Sequence, residues 1–263
     1  MKHILFALGF LFMAECGAAE LCRVKVEEGL ASGQSYTAKL DSLLDMEEKC
    51  GGDHYYDLVK ARLLATNKRF DEALAVVSAK PDFGIYEEHF VILQARVYAA
   101  RGSTREAMRV LKGFLRNHSQ SAAVQLVLGK LLSSEQRFDE ALEHFIASAK
   151  IEPMAEAYQA AAVAFYALGN CDQAVSSVDQ AAALDEKTFH DLGSMLVMSR
   201  CYAMQGKFVV ATNALKMLLH NNPAAEENSD FQEALSDLRK RIHKAKESGD
   251  AATDAHLVTL KGI

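Results

Sequence analysis

Five alanines, Ala73, Ala107, Ala141, Ala174 and Ala211, recur along the chain at spacings of 34, 34, 33 and 37 residues. Nothing else in the sequence constrains the fold as strongly, because each alanine sits at the same point of a repeated helical phrase. The clearest copy runs from Leu128 to Pro153. Leu128, Leu131 and Leu132 mark one amphipathic helix, and Phe138, Ala141, Leu142 and Phe145 mark a second. Ser133-Ser134-Glu135-Gln136 interrupts the pattern and Pro153 ends it. Helices of about a dozen residues are marginal in isolation and must bury their faces on neighbours. A two-helix unit repeated at this period therefore predicts a stacked helical array.

Other columns share the register. The first helix of each unit carries a small residue, Ala61, Ala95, Gly129, Ala162 or Ser199, followed three residues later by Leu64, Tyr98, Leu132, Phe165 or Tyr202. Small residues let helix axes approach, and the bulky ones fill the space beside them. Gly102, Gly169 and Gly206 mark turns between helices, where a left-handed backbone costs glycine little. Of three prolines, Pro153 and Pro223 close units, while Pro81 arrives early and predicts a shortened second helix.

These residues resemble the tetratricopeptide repeat (TPR). The best match is Leu128-Gly129, Leu132, Phe138, Ala141, Phe145 and Pro153, and the stretches Tyr166 to Asp185 and Tyr202 to Pro223 are similar. The family often carries Trp near the start of each unit; this chain has none, and Asp57, Val91, Gln125, Tyr158 and Met195 stand there. Extra residues between Asp185 and Leu192 predict an irregular junction. The resemblance implies an all-α fold, a right-handed solenoid of about five helix–turn–helix TPR units at 54–225 with N- and C-terminal capping helices. The expected segments are a signal peptide at 1–19, a helical cap at 20–53, a capping helix at 226–248 and a flexible tail at 249–263.

The signal peptide is read from Lys2 and His3, the apolar run Ile4 to Met13 and the small residues before Glu20, which predict cleavage after Ala19. The alternative is a lipoprotein signal with Cys16 acylated, although Glu15 stands where a small residue is usual. Membrane attachment is expected only in that case. Export, to the periplasm if the source is bacterial, follows from either reading. Four cysteines remain after cleavage, Cys22, Cys50, Cys171 and Cys201, and an even count in an exported chain points to disulfides. Of three connectivities, Cys22–Cys50 would staple the N-terminal helices, and Cys171–Cys201 falls near one rim of adjacent units. The alternative for the second pair is two free thiols in the core. In the C-terminal helix Ser229 is the expected N-cap, with Gln232 completing a capping box.

No catalytic constellation is present: there is no HExxH, GxSxG, Walker A or GxGxxG pattern. Neither an enzyme nor a cofactor is expected, and Asp53, His54 and Asp57 are the weak case for a metal. The formal net charge of −6 argues against nucleic acid as partner. In TPR solenoids the first helices line the concave face, and the resemblance sets which residues point into it. The column Arg62, Arg96, Lys130 and Arg200 then lies beside Leu58, Ile92, Leu126, Gln159 and Leu196, with Tyr55 and His89 adding aromatic surface at one end. Such a trough suits a protein or peptide with acidic and apolar side chains. The competing reading is that these cations pair with neighbours such as Glu88 or Glu156. The expected function is an exported scaffold or adaptor in assembly of an envelope or secreted complex. The alternatives are a lipid-anchored assembly factor and a solenoid for a non-protein ligand.

Overall fold

The structure is a computed structural model that describes residues 21–28, 30, 34–79, 83–249, 253–255 and 258. The expected signal segment with Cys16, the cleavage point at Glu20, and Pro81 lie outside these residues. The described residues form helices and turns, with no strand among them. They fall into two compact units, one ending at Ser119 and one beginning at Gln120.

In the first unit α1 covers 21–28, and α2 (Tyr36–Leu44) and α3 (Glu47–Cys50) follow. Two helix pairs come next: α4 (His54–Thr66) with α5 (Phe70–Ser78), and α6 (Glu87–Ala100) with α7 (Thr104–Leu115). The second unit holds three pairs and a closing helix. These are α8 (Ala122–Ser134) with α9 (Phe138–Ile151), α10 (Ala155–Ala167) with α11 (Cys171–Leu184), α12 (Leu192–Met204) with α13 (Phe208–Asn221), and α14 (Ser229–Ser248). The period read from the sequence is thus the helix-pair period. The short α5 ends at Ser78, just before the place of Pro81. The extra residues near Asp185 form a 3₁₀ turn, Glu186–His190, that buries Thr188.

All five column alanines are fully buried, as are Ala61, Ala95 and Ala162. Gly129 shows the notch most directly. A Cβ there would stand 2.6 and 2.7 Å from two ring atoms of Phe145 and 3.1 Å from the Ala141 carbonyl oxygen. The side chain is missing because the ring occupies its space.

Each pair closes with the same turn. Lys68, Gly102, Gln136, Gly169 and Gly206 all take positive φ, at 61°, 80°, 60°, 80° and 75°. The next residue's N–H reaches back to the first helix: Arg69 to Leu64, Ser103 to Tyr98, Arg137 to Leu132, Asn170 to Phe165 and Lys207 to Tyr202, at 2.8 to 3.0 Å. This is the Schellman closure, which satisfies carbonyls left open at a helix end. The glycines announce it in three units; in the other two Lys68 and Gln136 carry the strain.

The cap before α4 is built of three helices and covers the core with Val26, Leu40, Leu43 and Cys50. Two expectations are corrected. The N-cap of α14 is Asn228, whose carboxamide oxygen accepts from Asp230 N at 2.8 Å and Phe231 N at 3.3 Å. Ser229 is the first helical residue, and Gln232 donates to the Glu226 carbonyl instead of closing a box. The segment after Gly249, read as a loose tail, is anchored where it is described. Asp254 accepts from Phe208 N at 2.5 Å and Val209 N at 3.1 Å, capping α13, while Ala255 and Val258 are buried in the same core. Lysine at the N-cap of α13 offers no acceptor, so the carboxylate arrives from 46 residues away.

Candidate functional site

Each expected cation stands on a first helix, and its surroundings differ between the two units. In the first unit, Asp53 caps α4 by accepting from Tyr56 N at 2.9 Å, which fixes the helix start and the register of Arg62 two turns later. Arg62 on α4 and Arg96 on α6 occupy equivalent places on helices that pack together, and both are exposed. Neither has a carboxylate partner among the described residues. Lys60 on the same helix, by contrast, meets Glu47 at 2.6 Å, and Arg101 at the end of α6 meets Asp71 at 2.7 Å.

Aromatic surface lies on the same two helices and on the 3₁₀ turn Gly84–Tyr86 before α6. Tyr55 and Tyr86 have ring centroids 6.2 Å apart, and Tyr86 and His89 6.4 Å. The Arg23 guanidinium stands 5.4 Å over the Tyr55 ring. Burial first, and then Glu27 beside it, push the Tyr55 phenol above its ordinary range, so it stays a neutral donor. Tyr86 was not legible as part of this cluster, because the turn Gly84–Tyr86 that presents it carries no repeat signal.

Beneath this face Tyr56 is fully buried, and its hydroxyl donates to Glu47 at 2.7 Å. Burial would raise the Glu47 carboxyl, but hydrogen bonds from Lys60 and Tyr56, with the charge of Lys60, hold it below the usual range.

The second unit departs from the expected trough. Lys130 pairs with Glu156. Arg200 meets Glu233 at 3.6 Å, donates to the Asp230 carbonyl at 3.3 Å and lies 5.9 Å over the Tyr166 ring. Gln159 donates to Thr188 at 3.2 Å. The competing reading of paired cations therefore describes this unit, because α10 and the closing helix α14 each bring a carboxylate, Glu156 and Glu233, within reach.

The aliphatic column needs correction in both units. Leu58, Leu126 and Leu196 are only 4%, 6% and 4% exposed and belong to the core, while Ile92 is half-buried. A helix packed on both sides buries a wider stripe than the family's concave places allow for.

The remaining candidates are occupied structurally. The His54 ring meets Phe83 edge-on at 5.9 Å, and Asp53 is spent on its cap. Among the described residues no three His, Cys, Asp or Glu side chains gather as a metal set. Cys22 lies against Cys50, and Cys171 against Cys201, with Cα atoms 5.6 and 5.2 Å apart, a span that a disulfide bridges.

The tetratricopeptide repeat family model matches residues 92–157. No curated protein is similar enough in sequence to count as a match. Solved structures are similar in fold. A thermophilic TPR protein of Thermus thermophilus is 18% identical with a TM-score of 0.52, over 69% of this chain and 98% of that one. YrrB, described as a TPR protein with an unusual peptide-binding site, is 16% identical with a TM-score of 0.54, over 75% and 99%. Yeast Tom70 is 11% identical with a TM-score of 0.68, over 90% of this chain and 50% of that one. At these identities the likeness is one of fold: an all-α helical-repeat solenoid of the TPR type.

Proposed function

From the premise of a tetratricopeptide-repeat fold, we propose that this chain is a non-catalytic scaffold. Its docking face is the first-helix face of the first unit, centred on Arg62 and Arg96. One observation carries the reading: two exposed guanidinium groups at equivalent places on packed helices have no carboxylate partner among the described residues. Guanidinium groups take carboxylates in a two-pronged grip, and adjacent aromatic rings add apolar contact. The occupant is a protein or peptide segment with acidic and apolar side chains. YrrB supports peptide binding on this fold through the site for which it is described. Lys130 and Arg200 are excluded from the docking face, because their charges are already spent within the second unit.

The finer setting is export, with residues 1–19 removed and assembly of an envelope or secreted complex as the role. The two close cysteine pairs support it, since disulfides persist in oxidising compartments.

The test is capture of partners from an envelope extract by immobilised wild type and by Arg62→Glu with Arg96→Glu. Each reversal replaces an attraction with a repulsion. The double variant should keep its helicity and lose the captured proteins, and capture by wild type should weaken as salt rises. Reversal of Lys240 and Lys244 on α14 is the control. The same proteins captured by the double variant would remove the site from this face.

A further inference from the structure

The second-helix side of the second unit has a feature that the repeat alone does not require. Between α9 and α11 lies an open crevice of about 340 Å³, floored by α10. Its apolar lining comes from Phe145 and Ala149 of α9 and from Ala157, Ala161 and Phe165 of α10. Tyr158, Gln173, Ser176, Ser177 and Gln180 supply polar groups to its wall, and the exposed residue Lys150 lines it as well. Lys150 has no carboxylate partner among the described residues.

The register explains the space. Every other first helix has a long side chain at the place of Ala161: Lys60, Gln94, Leu128 and Met198. One turn earlier, at the place of Ala157, the first unit has Tyr56 and Phe90, both almost wholly buried, and α8 has Val124; only α12, with Ser194, is as small. Helix α10 therefore lacks side-chain volume that its neighbours supply. The space over the two alanines stays open, and Ile146 on the rim is 40% exposed.

We propose that this crevice binds a small amphiphile with an apolar chain and a single carboxylate, of the medium-chain fatty acid class. The volume lies at the small end of pockets that hold organic ligands. The apolar floor takes the chain, and the unpaired Lys150 supplies the complementary charge for the head, with the wall amides as further donors. The site is separate from the Arg62 and Arg96 face and stands or falls without it.

Decanoate is the probe, titrated calorimetrically into the whole chain below its micelle concentration, with decanol as the uncharged comparator. Saturable one-site binding of decanoate, weaker for decanol, is expected. Lys150→Met should weaken decanoate about two- to fivefold, the scale of an exposed ion pair. Ala161→Leu restores the residue type found at Leu128, fills the floor and should abolish binding with helicity unchanged. Ile146→Glu, on the exposed rim, is the second variant should Ala161→Leu misfold; it should weaken decanoate more than decanol. Three results would each overturn the proposal: no saturable binding to wild type, equal affinity for decanoate and decanol, or undiminished binding by both floor and rim variants. Binding of an apolar helical peptide in place of decanoate would also overturn it and assign the crevice to a protein.

Discussion

Substituting Gly129 by alanine tests the central packing claim by its sign. In an exposed helix interior, glycine to alanine is favourable by about 0.5–1 kcal/mol, because the unfolded glycine has more freedom to lose. Here the new Cβ would meet the Phe145 ring at 2.6 Å and the Ala141 carbonyl oxygen at 3.1 Å. Ordinary contact requires the ring to retreat by about 0.8 Å, and Phe145 is only 1% exposed, so it can move only toward the crevice over α10 or by displacing packed neighbours. Overpacking of this kind costs about 1–3 kcal/mol. The net expectation is a loss of roughly 1–2 kcal/mol, seen as a fall of several degrees in Tm for a domain of this size. Thermal and urea unfolding followed by circular dichroism would measure it. Phe145→Leu should remove part of the clash, so Gly129→Ala should cost less in that background, and a double-mutant cycle gives the coupling. If Gly129→Ala instead raises stability, as helix propensity alone predicts, α8 and α9 do not approach this closely and the small-residue column has another cause.

Gln136→Gly should stabilise the chain by about 0.5–1 kcal/mol, because the left-handed strain at φ 60° outweighs the added freedom of the unfolded glycine. A lower Tm would show that the turn differs from those at Gly102 and Gly169. Protein taken from its own compartment should begin at Glu20 and show Cys22–Cys50 and Cys171–Cys201 on non-reducing peptide mapping. Each link closes a loop of 28 or 30 residues, worth about 3–4 kcal/mol in the chain-entropy model. Four free thiols or an intact leader would refute the export reading. Glu47 is held below its unfolded value, so its contribution is present above the ordinary carboxylate range and is lost as pH falls through the lowered folded value. Glu47→Gln should flatten the acid limb of the stability profile; an unchanged limb would assign that limb to other carboxylates.

The sequence by itself determined the helix pairs, their period and the places where helices touch. Those features rest on local and steric rules: a helical stripe every 3.6 residues, a small residue wherever a neighbour's side chain enters, a glycine where φ turns positive. Ala141 and Gly129 could be assigned their roles because any chain of this pattern must put small residues at the crossing. The strained turns at Lys68 and Gln136 were recoverable only through register with the glycines, since neither residue type signals a left-handed backbone. Burial of Leu58, Leu126 and Leu196 is not set by the period, which says which side of a helix faces inward but not how wide the covered stripe is.

Only the tertiary structure decided which cations are free. Lys130 and Arg200 meet carboxylates 26 and 33 residues further on, and Arg62 and Arg96 meet none among the described residues, although all four look alike in the repeat. An ion pair needs its two ends within about 4 Å, a condition set by helix heights and tilts that composition and spacing do not encode. The same holds for Asp254, which caps α13 across 46 residues, and for the crevice over Ala161, where side chains of α9 and α11 border the space left by a missing side chain. Local sequence fixes what a residue offers; the packing of distant segments fixes whether that offer is already taken.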